Sequence, residues 1–336
     1  MASAATSAIA GFRARGIALA PAGAVAVFLG GGAIFLLVGC LQSTNFARLT
    51  VEGLASGAVY SSLALALVLV YRASHIVNFA QGELAMLTTY IAYQLIQWGL
   101  SYWEAFFATL AIAFVLGLVL QVALIRPVLH RSVLATVIVT VGLFILIDGV
   151  VNWVWGGDFK VMPSPFGNGS YVVGGVAIPH LYVGMLAVVF ACVLLTWALF
   201  RFTKLGLGMR AAALRPAAAA LVGVRVDRML AVGWGLAALL GAVAGLMAEP
   251  SQIFLSPTLM QSILVYSFAA AVLGGLESPA GAVVGGLTIG VSLNLVIGYV
   301  PQISSELELP VAFAVILLVL LIKPTGLFGR REVRRV

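Results

Sequence analysis

GLASGAVYSSLALALVLVYRASHIVNFAQGELAM, residues 53–86, holds the pattern that decides the fold. Its first part, 53–71, carries no charged residue and is long enough to cross a hydrocarbon core of roughly 30 Å as a helix. Arg72, His75, Asn78, Gln81 and Glu83 then interrupt it before the chain turns apolar again. An apolar run, a brief polar break and another apolar run describe a chain that crosses a bilayer repeatedly. Lipid offers no hydrogen bonds, so a spanning segment satisfies its own backbone as a helix. No run alternates with period two, which excludes an outer-membrane barrel.

The same pattern extends in both directions. Ten candidate spans follow: 17–40, 51–71, 82–98, 105–125, 133–151, 181–200, 229–248, 259–276, 280–298 and 309–322. Several are short or interrupted by glycine, so eight is the lower bound. The composition agrees: 62% of the 336 residues are hydrophobic and 9% charged, with mean hydropathy +1.15. A soluble chain carries roughly 25% charged residues. The expected fold is all-α: a polytopic transmembrane helical bundle of about ten (eight to ten) spans. A cytoplasmic tail is expected over 1–16, the membrane domain over 17–323 and a basic tail over 324–336. Arg13 and Arg15 ahead of Ile17–Cys40 imitate a signal peptide, but the run is too long for one, and it reads as a retained first span.

The net charge of +7 reflects topology rather than a polyanionic partner. With a cytoplasmic N-terminus, 16 of the 18 basic residues fall in inside segments, and only Arg48 and Lys160 fall outside. That satisfies the positive-inside rule with both termini cytoplasmic and an even span count. Glu104, Asp158, Glu306 and Glu308 lie outside. So does the turn-rich loop 152–180, with Gly156, Gly157, Pro163, Pro165 and Gly167. Basic residues without aromatic interleaving give no nucleic-acid signature. Cys40 and Cys192 sit inside apolar runs as packed or lipid-facing thiols.

No catalytic chemistry is visible. G-x-x-x-x-G-K-[ST] is absent, and His75, His130 and His180 are scattered without metal spacing. Three segments remain informative. In 71–86, Asn78 or Gly82 would cap a helix whose positive end faces a cavity; a solvated turn is the plainer reading. In VLGGLESPAGAVVGGLTIG, 272–290, small-xxx-small spacing at 281/285 and 286/290 suits helix packing. Its polar interruption at Glu277, Ser278 and Pro279 resembles the 71–86 break, and paired interruptions point to a transport path. Asn78, Gln81, Glu83, Gly274, Gly275 and Ser278 are therefore the candidate path or gate. In the inside loop 201–228, Pro216 suits a helix first turn and Gly223 its stop. That short helix either docks on a partner or lies on headgroups.

At these segments the chain resembles the branched-chain amino acid ABC-transporter permeases of the LivH type. The resemblance rests on 53–71 running into NFAQGELAM (78–86), then on KLGLGMRAAALRPAAAALVGVRVDRML (204–230), FAAAVLGGLESPAGAVVGGLTIG (268–290) and LIKPTGLFGR (321–330). It spans most of 50–330. The sequence departs from the family at Gln81, where a histidine is usual, and at Arg215, where an acid or amide often precedes the proline. The resemblance implies one of two related membrane subunits, the other being a second permease or a second copy. It implies two cytoplasmic ATPase subunits that bind the ATP and magnesium, and a periplasmic or lipid-anchored solute-binding protein. This chain would bind no cofactor itself and would sit in the bacterial inner membrane, moving a branched-chain amino acid or similar small polar solute. The 204–230 segment matches the family's ATPase-coupling segment, which assigns coupling to Gly208, Arg210, Arg215, Pro216, Ala219, Gly223 and Asp227. A stand-alone ion-coupled transporter or channel is the alternative; it would need buried ionisable pairs at mid-depth, and only Asp148 and Glu83 come near.

Overall fold

The structure, a computed structural model, describes residues 44–129, 131–252, 254–299, 307, 309–310, 312–314, 317 and 326–328. The predicted first span 17–40, the tail 1–16, His130, most of 309–322 and most of 324–336 lie outside them. Each of the other eight apolar runs is a helix. They are α1 (Thr44–Ser74), α2 (Gln81–Gln97), α3 (Tyr102–Leu120), α5 (Val133–Trp155), α6 (His180–Phe202), α9 (Val226–Ala248), α10 (Leu259–Gly274) and α11 (Pro279–Tyr299). A π turn, Gln121–Ile125, joins α3 to the short α4 (Arg126–Leu129). Pro127 accounts for it: the ring has no N–H to give residue 123 and would collide with that carbonyl in a regular helix. Two further short helices, α7 (Lys204–Leu214) and α8 (Pro216–Leu221), fill the long loop after α6.

Among the described residues six helices are long and apolar enough to cross a membrane. The other two, α2 with 17 residues and α10 with 16, are shorter and pack on one another. Burial sorts the long helices. The apolar stretches of α1 and α9 are 83% and 78% buried, those of α5 and α6 only 22%. The outward side chains of α3, α5 and α6, such as Phe107, Ile145, Leu146, Phe190 and Leu195, are apolar. In water that surface would aggregate; in a membrane it is the wall that meets acyl chains.

Small residues bring the inner helices together. α11 carries two bare faces. A methyl group built on Gly281 or Gly285 would collide with the Gly274 and Ala270 carbonyls of α10, and one on Gly286 or Gly290 with Ser61 and Gly57 of α1. Both spacings noted in the sequence are thus helix contacts, on different sides. Ser61 donates its hydroxyl to the Val283 carbonyl at 2.8 Å, and Ser62 to that of Leu240 at 2.8 Å, so α1 is bonded to α11 beside the glycine contacts and also to α9. Lipid tails are as apolar as leucine, so close van der Waals packing and such bonds hold the helices together.

One departure from an all-α chain lies in the loop 152–180. Ser170–Val173 and Val176–Pro179 pair as an antiparallel hairpin, with Val173 opposite Val176. Gly174 and Gly175 have φ of 58° and 81°, the positive values a two-residue hairpin turn requires. Lys160 and Leu255 exchange backbone hydrogen bonds of 3.0 and 2.9 Å, which joins this loop to the segment before α10.

Candidate functional site

The first break closes with buried amides. α1 ends at Ser74, and His75 follows with φ of 55° while its N–H bonds the Tyr71 carbonyl at 2.6 Å. Asn78 Oδ1 accepts from the Ala80 N–H at 3.1 Å, so the asparagine turns the chain into α2. Its Nδ2 donates to Gln81 Oε1 at 3.1 Å, and Gln81 Nε2 donates to the Ala237 carbonyl of α9 at 2.9 Å. The relay from break to α9 is continuous. Asn78, Gln81 and Glu83 are 0%, 1% and 1% exposed, so none lies on a solvated turn. Among the described residues one carboxyl oxygen of Glu83 has no hydrogen-bond partner.

The second break closes on backbone groups and a single serine cap. Gly275 ends α10 at φ 98°, and its N–H reaches the carbonyls of Ala271 and Val272. Ser278 opens α11: its hydroxyl accepts from the Gly281 N–H at 3.0 Å and its carbonyl from that of Ala282 at 2.9 Å. Gly274 is packed against Gly281. From far along the chain, Leu327 and Phe328 donate their N–H groups to the Leu273 and Gly274 carbonyls at 2.8 and 3.1 Å. These carbonyls belong to the last turn of α10, which a helix leaves unbonded. A methyl on Gly326 would fall 2.5 Å from the Gly275 Cα, so the docking segment needs its glycine.

The loop 201–228 forms the third part. Thr203 caps α7, accepting from the Gly206 N–H at 3.0 Å. Pro216 occupies the first turn of α8, as its fixed φ and missing N–H favour. At the far end Val224 N–H bonds the Ala219 carbonyl and Gly223 N–H that of Ala220, both at 3.0 Å, with Gly223 at φ 86°. This 6→1 and 5→2 pairing is a Schellman stop. The candidate coupling residues divide by exposure. Ala219 is 4% exposed and turned back into its own chain, while Leu214, Leu221 and Val222 stand 78%, 89% and 79% exposed. Gly208 packs under Met229 of α9. Asp227 is tied to Arg126 at 2.6 Å, an ion pair within the chain between residues 101 positions apart, which no local pattern reveals. Arg210 sends Nε to the Gly206 carbonyl at 3.4 Å, and Arg215 is exposed at the α7–α8 junction.

Breaks and loop meet at a cleft of about 420 Å³. Arg72 and His75 line it from the end of α1, Leu214 from α7, Glu277 and Ser278 from the second break, and Phe328 from the docked segment. Of the predicted path residues, only Ser278 reaches this cleft. Asn78, Gln81 and Glu83 lie inside the bundle, and Gly274 and Gly275 are spent on the α10–α11 and Gly326 contacts. Arg72 and Phe328 were not singled out for this place; the LIKPTGLFGR motif held the signal for the latter. Among the described residues no three His, Cys, Asp or Glu side chains come together as a metal site.

Residues 49–320 match the family described as branched-chain amino acid transport system / permease component. The chain belongs to this permease family. It is similar to the high-affinity branched-chain amino acid transport system permease protein LivH of Salmonella typhimurium, with 30% identity over 88% of this chain and 99% of that one. LivH of Escherichia coli K12 matches with the same identity and coverage. BraD of Pseudomonas aeruginosa is 28% identical over 87% of this chain and 98% of its own. This permease is therefore a multi-pass membrane protein and the transport component of a larger system, not an enzyme. The stand-alone transporter is not favoured.

Proposed function

We propose that this permease is the membrane subunit of an ATP-driven importer for branched-chain amino acids or similar small polar solutes in a bacterial inner membrane. It would pair with a related permease or a second copy, take its solute from a periplasmic or lipid-anchored binding protein, and rest on two cytoplasmic ATPase subunits. ATP and magnesium would be held there, with both termini of this chain on the same side. The observation that carries the reading is the outward apolar surface of the loop helix, with Leu221 exposed at the end of α8, Val222 just past it and Leu214 just ahead of α8. A helix this short is marginal in water unless it is covered, and its Schellman stop holds it ready to enter a groove. Leu214 also lines the cleft beneath both breaks. Motion imposed on α8 would therefore reach the breaks through α7. The buried Asn78–Gln81 relay and Glu83 would be the closed gate, since polar groups in an apolar helix are costly and tend to be functional.

The test is Leu221→Glu. The side chain points away from its own bundle, so membrane insertion should stay normal while ATP-driven uptake and ATPase co-purification are both lost. Normal uptake with normal co-purification would refute the coupling assignment. Ala219→Glu is a poorer probe, because the buried Ala219 packs against its own chain.

A further inference from the structure

A second groove, of about 290 Å³, runs between α1, α6 and α11 and adjoins the cleft. Its wall is apolar, with Leu65, Val193, Phe200 and Val283; its end holds Arg72, Arg201 and Arg210. Leu65 precedes Arg72 by seven residues and Val193 precedes Arg201 by eight, so the guanidinium end lies roughly 11 Å, two helical turns, from the apolar end. Pro279 and Ala280 bring the first turn of the 21-residue α11 to the arginine end, where its dipole is positive.

Three features name the occupant. Trp197 of the groove is 54% exposed, and Leu194 and Phe202 beside it on α6 are exposed too, so the mouth opens on the rim that faces hydrocarbon. Among the described residues none of the three arginines is in an ion pair; the two pairs present are Arg48–Glu52 and Arg126–Asp227. Glu277, the acid nearby, lines the adjoining cleft, which shares Arg72 and Pro279 with the groove. An apolar trough that ends in several guanidinium groups at the membrane boundary suits an acyl chain joined to a phosphate. We infer that this groove binds one anionic phospholipid, its acyl chain along Val193 and Val283 and its phosphate between Arg201 and Arg210. Arg210 belongs to α7 and the other walls to α1, α6 and α11. The lipid therefore clamps the loop helix to the bundle.

The full chain, purified with the subunits that accompany it, is placed in nanodiscs of mixed phosphatidylglycerol and phosphatidylcholine, and retained lipid is counted by native mass spectrometry. One phosphatidylglycerol should be retained in preference to phosphatidylcholine. Arg201→Gln with Arg210→Gln should lower its retention about 30-fold, at roughly 1 kcal/mol for each charge. Arg131→Gln with Arg225→Gln, the same charge loss on exposed loop residues, should leave it unchanged. Thr196→Trp fills the groove while keeping all three arginines, and should also expel the lipid. Glycerol phosphate should not displace it. Equal retention of both lipids, unchanged retention in the arginine or Thr196→Trp variants, or displacement by glycerol phosphate would overturn the proposal. So would loss of an accompanying subunit with the lipid kept, because the arginines would then be holding a protein acid.

Discussion

Between α1 and α2 the chain is held by a relay of side chains; between α10 and α11 it is held by glycines and backbone groups, with Ser278 as the one side-chain cap. The first break spends Asn78 and Gln81 on a relay to α9 and tolerates a histidine at φ 55°. The second relies on Gly275, on the Gly274–Gly281 contact and on backbone groups of 326–328. Amide hydrogen bonds can be broken and remade at modest net cost, about 1 kcal/mol each. Backbone packed on backbone has no rotamer to change. In the proposed mechanism the first break would open and the second would stay put as the fulcrum.

The sharpest way to break this comparison is Gly281→Val. Its branched Cβ would stand in the Gly274 carbonyl with nothing flexible to move aside. Loss of more than about 4 kcal/mol is expected, seen as loss of folded protein in detergent extracts. Gly281→Val protein that folds and unfolds at the parent temperature would show the second break to be as soft as the first. Gln81→Leu comes next. It leaves the Ala237 carbonyl and the Asn78 amide without their partner, for a cost of about 1–3 kcal/mol. Folding should survive, while uptake should become leaky or uncoupled; unchanged coupling would remove the relay from the gate. His75→Gly is the smallest change and has the opposite sign. Relief of the left-handed backbone at His75 should raise the midpoint of thermal unfolding by an amount worth about 1 kcal/mol or less. A fall instead would show that the imidazole, which packs edge-on against Tyr71, contributes more than its backbone costs.

Much of the bundle was legible because lipid imposes a simple rule on sequence. A helix that spans hydrocarbon must be apolar along its whole length, so the runs at 133–151 and 181–200 reappear as α5 and α6 with ends displaced by a few residues. The spacing of glycines in 281–290 was equally plain, since only small residues permit such contacts. What a run of letters does not carry is direction. The resemblance assigns Ala219 to coupling, yet Ala219 is buried against its own chain while Leu221 and Val222 stand outside. Gln81 reads as a polar gate residue, while its partner is a carbonyl 156 positions away that no local pattern reveals. The hairpin at 170–179 escaped because loop composition signals turns, and its two strands of four residues each are too short to show a period.

α11 gives the bundle its closest contacts and, for the same reason, little room to change. With Gly281 and Gly285 turned to one neighbour and Gly286 and Gly290 to another, two sides of the cylinder admit almost no substitution. The remaining stripe passes through Val284, Thr288 and Ser292, one turn apart and at least partly exposed. Along this stretch of the helix, that line is where substitution meets the least resistance. A randomised library of α11 should recover diversity at Val284, Thr288 and Ser292 and near-invariance at Gly281, Gly285, Gly286 and Gly290.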